Sequence, residues 1–586
     1  MRTEATPRGR GAAGYALMLT LFLIGVSLVV MASAVKWTST ETVLTSRNNV
    51  YNTTVAGAEA ATERVLAQMQ RDFTYQSVSS DLNTYSVLLP AQDGWPMQFE
   101  FSDGAGNVGR TRVLSRGPSI IANLNSEFAG LYGLVSPYQV ISRARPLSRP
   151  YNLAATVSQE FQLARIPIFQ FAIFYALDLE INPGAPMTVT GKVHGNKDIY
   201  TAPPASLTYA DDVTAVGSIY NNRHTNDPTG GGKTAPVYQA EHMNKVSSLT
   251  LPVGTNNSPQ AVQQILDVPP WDENPNSLLG KQRFYNNADL IISNSPSGQI
   301  IVKSGLWNNF ANVPPDGSSG GNPYYTFVTN ATFYDYREDK TIQATQIDVE
   351  RMLSWLTNTT VKGGAALNGT ARAQMNHELN SIYAIDNRPG SSSTLPAVRV
   401  VNGITLPQDG LTVATPRPLY VKGHFNLNNG NTTAGLTNTA NTKPAALIGD
   451  AITVLSPSWQ DSFNSSTALG SRTAANTTVN AAFLAGIVES ARVGNSRYYS
   501  GGVENFPRFL ENWSTKSLTY NGSMVAMFPS RLATNFWVSP GSYYNPPARR
   551  WAFDLNFLNA NRLPPMTPQV RKLVRGQWRV LASSGG

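Results

Sequence analysis

Residues 12–35, AAGYALMLTLFLIGVSLVVMASAV, form an apolar run without a charge, and no other feature limits so strongly what this chain can become. About 24 residues at roughly 1.5 Å each reach about 36 Å, enough to cross a hydrocarbon core of about 30 Å. Arg2, Arg8 and Arg10 precede the run with only Glu4 against them, which predicts a cytoplasmic N-terminus and an exported remainder. Ala32-Ser33-Ala34 offers an A-x-A-like signal cleavage site, yet the run is long for a signal h-region. The sequence beyond it argues for retention. No Pro interrupts between Lys36 and Phe73, and Leu44, Tyr51, Val55, Ala58, Val65, Met69 and Phe73 recur at three-, four- and seven-residue steps as one apolar stripe. Glu59, Glu63, Arg64, Gln68 and Arg71 occupy much of the remaining surface. The spacing predicts one helix from about Tyr15 to Phe73, membrane-embedded in its first part and amphipathic in its second.

Composition bounds the remainder. At 586 residues the chain is too long for one compact core and is expected to hold about two to four structural units. Charged residues at 14% and aromatics at 10%, with abundant Asn, Thr, Ser and Gly, fit an extracytoplasmic β-rich protein rather than a cytosolic enzyme. The absence of Cys excludes disulfides, thiol catalysis and Cys-ligated metal. The net charge of +8 is densest near the C-terminus, at Arg549, Arg550, Arg562, Arg571, Lys572, Arg575 and Arg579. No nucleic-acid module is recognisable, so this surface predicts contact with anionic cell-surface polymer or acidic neighbours rather than with nucleic acid.

The leader ending in Gly, the apolar run and the AGAEAATERVLAQM segment together resemble the N-terminal helix of the type IV pilin superfamily, which includes the pseudopilins of type II secretion. AGAEAATERVLAQM looks like the corresponding stretch of PilX-type minor pilins. The resemblance implies that a prepilin peptidase cuts after a Gly on the cytoplasmic side and leaves the helix on the mature protein. Gly14–Tyr15 is the preferred cut, with a bulky hydrophobic first residue; Gly11–Ala12, directly after Arg10, is the alternative. It also implies lateral packing with other pilins or pseudopilins, and a Glu at mature position five that pairs with a neighbour's terminal amine. This chain departs there, with Leu19 or Ala16 according to the cut. A lone buried charge is costly, so the missing Glu suggests a subunit that does not insert beneath another. K-type pseudopilins at the filament tip share the lack, which makes a tip or initiating role the expectation and a plain anchor the alternative.

Two later segments, MTVTGKVHGNKDIY (187–200) and LTYADDVTAVGSIY (207–220), align without gaps at an offset of twenty. The offset matches Met187 with Leu207, Thr188 with Thr208, Val193 with Val213, and Ile199-Tyr200 with Ile219-Tyr220. Short β-branched triplets between Gly, Asn and Asp turns at that repeat predict rungs of a β-solenoid, with antiparallel hairpins as the alternative. Each rung leaves an apolar face for the next to cover. Further rungs are therefore expected at PLYVKGHFN (418–426), AALIGDAITVLS (445–456) and NAAFLAGIVES (480–490).

The fold class read from these patterns is mainly β with a long N-terminal α-helix: a pilin-like anchor helix and small antiparallel sheet, a β-solenoid body and an α+β insertion. Its parts are a leader (1–14), the helix (15–74), a β-rich head (75–165), rungs (166–230), the insertion (231–410), further rungs (411–490) and an aromatic, basic C-terminal region (491–586). In the head, TYSVLL, MQFEF, RTRVLS, YQVISRAR and TVSQEFQLARI read as strands, with MQFEF and RTRVLS as a hairpin around SDGAGNVG. The insertion carries helices SPQAVQQIL (258–266) and TQIDVERMLSWL (345–356) and the strand pair DLIISN and GQIIVK. ENFPRFLENW (504–513) reads as an amphipathic helix, and Phe506, Phe509, Trp513, Trp551, Phe553 and Phe557 as a satellite core. The blocks GLTVATPRPLYVKGHFN, GGVENFPRFLENW and LPPMTPQVRKLVRGQW also resemble large PilX-like bacterial envelope proteins, which implies architecture and location only.

Several motifs tempt without context. Gly104, Gly106 and Gly109 satisfy G-x-G-x-x-G, but a strand follows where the dinucleotide fingerprint needs a helix. Gly317 to Gly321 satisfy G-x-S-x-G within a loop rather than a strand–turn–helix elbow. The five histidines lack zinc-site spacing. Asp335, Glu338 and Asp339 read as a solvated turn. Asp198, Asp211 and Asp212 read as Asx-type turn residues, or as clustered carboxylates of a glycan-cleaving site.

The resulting expectation is a non-enzymatic, pilin-like subunit, of the PilX-type minor pilin or K-type pseudopilin kind, in a type IV pilus or type II secretion-type filament. It would sit in the bacterial inner membrane with a periplasmic or extracellular body and act in assembly, display or adhesion. Expected partners are other pilins, prepilin peptidase, the inner membrane and a surface polymer; no catalytic, metal or cofactor residue is assigned. The alternative is a membrane-anchored β-helix enzyme acting on polysaccharide.

Overall fold

Helix α1 (Ala12–Tyr75) runs unbroken for 64 residues, close to the bounds that the apolar spacing predicts. The computed structural model describes residues 12–75, 77–148, 153–229, 234–304, 312–357, 378–427, 435 and 437–581. The second half of α1 lies on a small antiparallel sheet. In it β1 (Phe99–Ser102), β2 (Arg112–Ser115) and β3 (Ile120–Asn123) all pair with β4 (Tyr132–Pro146), and β4 pairs with β5 (Ala155–Pro167). MQFEF and RTRVLS do not form the expected hairpin: β1, β2 and β3 follow one another end to end along β4, opposite Pro146, Ile141 and Val135 at their first residues. The Asp103 carboxylate accepts from the Ala105 and Asn107 amides, which closes the glycine-rich loop on itself and returns the chain to the same track. TYSVLL is likewise no strand. It gives a helical turn, Asn83–Ser86, because the Tyr85 hydroxyl is drawn inward to donate to Asp72 at 2.8 Å.

The last strand of the head is far away in sequence. Gln569–Leu581 pairs antiparallel with β5, from Gln569 opposite Pro167 to Leu581 opposite Thr156. The whole body is therefore inserted between two adjacent strands of one sheet.

That body is a three-faced solenoid of parallel strands. Met187, Val193 and Ile199 lie opposite Leu207, Val213 and Ile219, so the offset of twenty read in the sequence is the ladder register. The repeat holds at polar corners as well: Asp178 accepts from the Asp198 amide, and Asp198 from the Ser218 amide. The expected later rungs form strands Leu419–Lys422, Ala445–Gly449, Ile452–Leu455 and Ala482–Ile487. Strands Leu290–Asn294, Lys340–Asp348, Ser381–Asp386 and Thr394–Val401, from the stretch read as an insertion, also pair into the solenoid faces.

The order of coils is permuted. Along the main sheet, strands starting at residues 290, 381, 411, 445, 482 and 524 succeed one another, and the next position is taken by Ile173–Tyr175, followed by strands starting at 193, 213 and 242. The chain thus enters the solenoid in the middle, runs to one end, crosses back over residues 245–289, and fills the other half until Met524 meets Ile173. The far end is closed by antiparallel partners, Ile300–Ser304 on the main sheet and Val328–Asp335 on the second.

Side chains inside the coils form one apolar core, including Val193, Val213, Leu447, Phe483 and Trp513. A second core lies outside the main sheet, where Ile448, Leu484 and Val525 are covered by Leu251, Val262 and Leu266 of the crossover and by Val135 and Ile166 of the head. Phe506, Phe509 and Trp513 belong to the first and Phe553 and Phe557 to the second, so the aromatics are no satellite. ENFPRFLENW is not a helix: after a single 3-10 turn, Pro507–Arg508 pairs as a strand. Its apolar residues fit helical spacing, but coil stacking overrides local pattern. Corners are tight. At Gly410, φ is +89° and a Cβ would stand 2.0 Å from the Pro444 carbonyl oxygen, so only Gly fits.

Where the two halves meet, a buried polar latch joins first coil to last. Glu180 accepts from Ser490 and Ser500 at 2.6 and 2.9 Å, while Glu504 accepts from the Asn182 amide at 3.3 Å and from Tyr499 at 3.2 Å. Burial pushes the Glu180 carboxyl up from 4.5 to about 7. The folded state then holds a proton that the unfolded chain releases, so stability falls as pH rises from about 4.5 through about 7. The loss is on the order of 3 kcal/mol. Glu180→Gln keeps both serine bonds on its amide oxygen and removes the charge. Thermal melts should show the variant several degrees above the parent at pH 8 and equal to it at pH 5; equal melting at both values would contradict this account of the latch.

Candidate functional site

The two halves of α1 meet opposite surroundings. Residues 15–49 are all exposed, including Leu21, Phe22, Ile24, Val29 and Met31. Val65, Leu66 and Met69 are buried against Val140, Phe161 and Leu163 of β4 and β5, and Ala58 and Ala61 against Phe99 and Val157. Gly57 permits this approach, since a Cβ there would stand 3.0 Å from the Phe99 ring. The C-terminal strand adds a polar clamp. Arg575 grips Glu63 through two guanidinium bonds, and Arg571 donates to the Phe73 carbonyl at 3.0 Å. Hydrogen bonding to Arg575 holds the Glu63 carboxyl below its usual range. The basic strand expected to face a polymer therefore spends part of its charge on the molecule's own helix.

The exposed half is chemically fit for an apolar medium. From Tyr15 to Val35 there is no charge, and this is a helix long and apolar enough to cross a membrane. Two of its hydroxyls are satisfied within the helix: Thr20 donates to the Ala16 carbonyl at 2.9 Å and Ser33 to the Val29 carbonyl at 2.8 Å. In hydrocarbon every polar group needs such a partner.

The head grips the body firmly. The buried amide of Gln170, just after β5, accepts from the Tyr132 amide and donates to the Tyr132 and Pro167 carbonyls at 2.9–3.0 Å. The Tyr132 hydroxyl in turn reaches the Phe557 carbonyl. Whatever holds α1 also holds the solenoid.

Of the residues read as processing positions, Gly11 lies outside the described residues. Ala12, Gly14 and Tyr15 stand in the first turn of α1, with Tyr15 exposed. Asp198, Asp211 and Asp212 are not brought together: Asp211 and Asp212 share Lys192 one coil back, whereas Asp198 binds the next coil's backbone at another corner. Asp335 and Glu338 are not solvated. Both are buried, Asp335 accepting from Tyr420 at 2.6 Å and Glu338 pairing with buried Arg508 at 2.8 Å. Gly317–Ser319 and Asn322–Tyr324 form a small hairpin turned by Gly320 and Gly321, rather than a loop. Among the described residues, no group of three or more His, Cys, Asp or Glu is placed to hold a metal ion.

These features define a class of architecture: a long, half-exposed helix carrying a head sheet into which a solenoid is inserted. No protein-family profile and no curated protein matches the sequence. Among solved structures, the competence-associated pilin ComZ from Thermus thermophilus aligns at 11% identity with a TM-score of 0.30, over 90% of this chain and 96% of that one. A likeness at that level carries no weight for fold or function.

Proposed function

We propose that the chain is a pilin-like anchor and display subunit, with the exposed half of α1 packing beside other apolar helices in a membrane or filament and the head presenting the solenoid. One observation carries this reading: thirty-five consecutive helical residues, 15–49, meet no partner surface among the described residues, while the same helix beyond them is built into the head. Size favours a filament end over a shaft. A body of about 400 residues has a radius of gyration near 21 Å and is roughly 55 Å across. Packed helices sit about 8–10 Å apart, so bodies of this size would collide on neighbouring subunits. The missing Glu, with Leu19 or Ala16 in its place, agrees with a subunit that caps others. Processing at Gly14–Tyr15, or at Gly11–Ala12, by a prepilin peptidase belongs to the same proposal.

The test is co-fractionation of the chain with sheared filaments in cells with and without the peptidase. Substoichiometric recovery with filaments that requires the peptidase supports the proposal. Recovery only as a free monomer from detergent-extracted membrane, with or without the peptidase, overturns it.

A further inference from the structure

Outside the main sheet, at the C-terminal ends of Leu290–Asn294, Ser381–Asp386 and Leu411–Ala414, lies a cavity of about 620 Å³. Small-ligand sites range over about 300–1,000 Å³ and combine apolar walls with a few converging polar groups. Here Ile291, Ile385, Val268 and Leu532 supply the apolar lining. Arg531 and Asp267, paired at 2.5 Å, tie the crossover to the loop after Pro529 at one side. Two further cations line the space, Lys303 and Arg417, against one carboxylate among the described residues, that of Asp267.

Arg417 is the informative group. Its backbone is fixed between Pro416 and Pro418, the amide donating to Thr415 at 3.1 Å and the carbonyl accepting from the Asp450 amide at 3.0 Å. Its guanidinium has no contact partner: Nε is buried without one, and among the described residues no hydrogen bond or ion pair engages the group, which feels Asp386, Asp450 and Asp267 only through space. The nearby carboxylates are committed elsewhere. Asp386 is held by Arg388 and Thr345, and Asp450 by Ser530 and the amides of Arg531, Leu532 and Ala533. Desolvation lowers the Arg417 pKa, as expected for a cation set partly out of water. A buried donor without an acceptor costs about 1–3 kcal/mol, and native interiors rarely leave one. An anionic, planar acceptor attached to an apolar body would match both the guanidinium and the aliphatic lining.

We propose that this cavity binds a carboxylate carrying a compact apolar group, the carboxylate on Arg417 with Lys303 beside it, and the apolar group against Ile291, Ile385, Val268 and Leu532. Two sources share that chemistry, a free aryl or alkyl acid and the C-terminal residue of a polypeptide. The inference stands independently of the anchor and display reading.

The test is calorimetric titration of the full chain in detergent with 3-phenylpropionate, 3-phenylpropionamide and N-acetyl-L-phenylalanine. Saturable one-site binding of an acid, at least tenfold weaker binding of the amide, and at least tenfold loss for the acid in Arg417→Gln are expected. The ligand-free variant should melt no lower than the parent, because it loses an unpartnered cation rather than a bond. Tighter binding of N-acetyl-L-phenylalanine than of 3-phenylpropionate assigns the site to a polypeptide end, and the reverse to a free acid. Should Arg417→Gln fail to fold, Lys303→Gln decides, with at least threefold weaker acid binding and unchanged amide binding expected. Absence of saturable binding by either acid at millimolar concentration, equal affinity for acid and amide, or acid binding indifferent to the variant that folds overturns the proposal.

Discussion

Ending the chain after Pro568 is expected to unfold the head, not to trim a tail. The strand Gln569–Leu581 supplies the second edge of β5, buries Val570, Leu573 and Val574, and carries the Arg571 and Arg575 contacts to α1. Full burial of three such side chains stabilises by roughly 5–8 kcal/mol, comparable with the entire net stability of a typical domain at about 5–15 kcal/mol. The truncation also exposes Ile166 and Ala164 on the outer core. Limited proteolysis should cut β1–β5 and the second half of α1 rapidly in the truncated chain, while the solenoid interior stays protected. Parent-like protection of the head would contradict the inserted topology. The same topology orders folding in time. β5 cannot gain its second partner until about 400 further residues have been made, and such non-local pairing is slow.

The second large effect belongs to the exposed half of α1. Ile24→Arg places a charge in the middle of the apolar run at a side chain that is 55% exposed. Arg at the centre of a spanning helix costs about 2.5–3.5 kcal/mol on insertion scales, or roughly a hundredfold in the membrane-bound equilibrium. Thr42→Arg, on the same helix beyond the run, should change nothing. Both variants should melt with the parent, because neither position supports the head or the body. Alkaline extraction of membranes separates the outcomes: Ile24→Arg moves to the soluble fraction and Thr42→Arg remains bound. Retention of both variants would show that something other than the apolar run anchors the chain.

Legibility in the sequence followed the range of the interactions. The helix could be read because its evidence is local, a charge-free run followed by Val55, Val65, Met69 and Phe73 at helical steps. The solenoid could be read where adjacent coils are adjacent in sequence, as with Val193 and Val213. Closure of Met524 on Ile173 could not be read, since those coils lie about 350 residues apart and share no repeat. Gln569–Leu581 reads in the sequence only as part of a basic C-terminal region for the same reason; its partner is β5. ENFPRFLENW and TYSVLL show local pattern losing to tertiary demand, coil stacking of Pro507–Arg508 in one case and the Asp72–Tyr85 bond in the other. The processing residues Gly14 and Tyr15 are a pattern for another enzyme to recognise, and the fold around them adds nothing to it. The cavity at Arg417 had no linear signal, because Val268, Ile291, Ile385 and Leu532 come from four separate stretches.

Intact-mass spectrometry of the chain isolated from membranes or filaments bears most directly on the central claim, that the apolar half of α1 stays on the working molecule as its lateral packing surface. The account predicts a polypeptide beginning at Tyr15, or at Ala12 by the alternative cut, with residues 15–35 intact. A polypeptide beginning beyond Ala34 would contradict it.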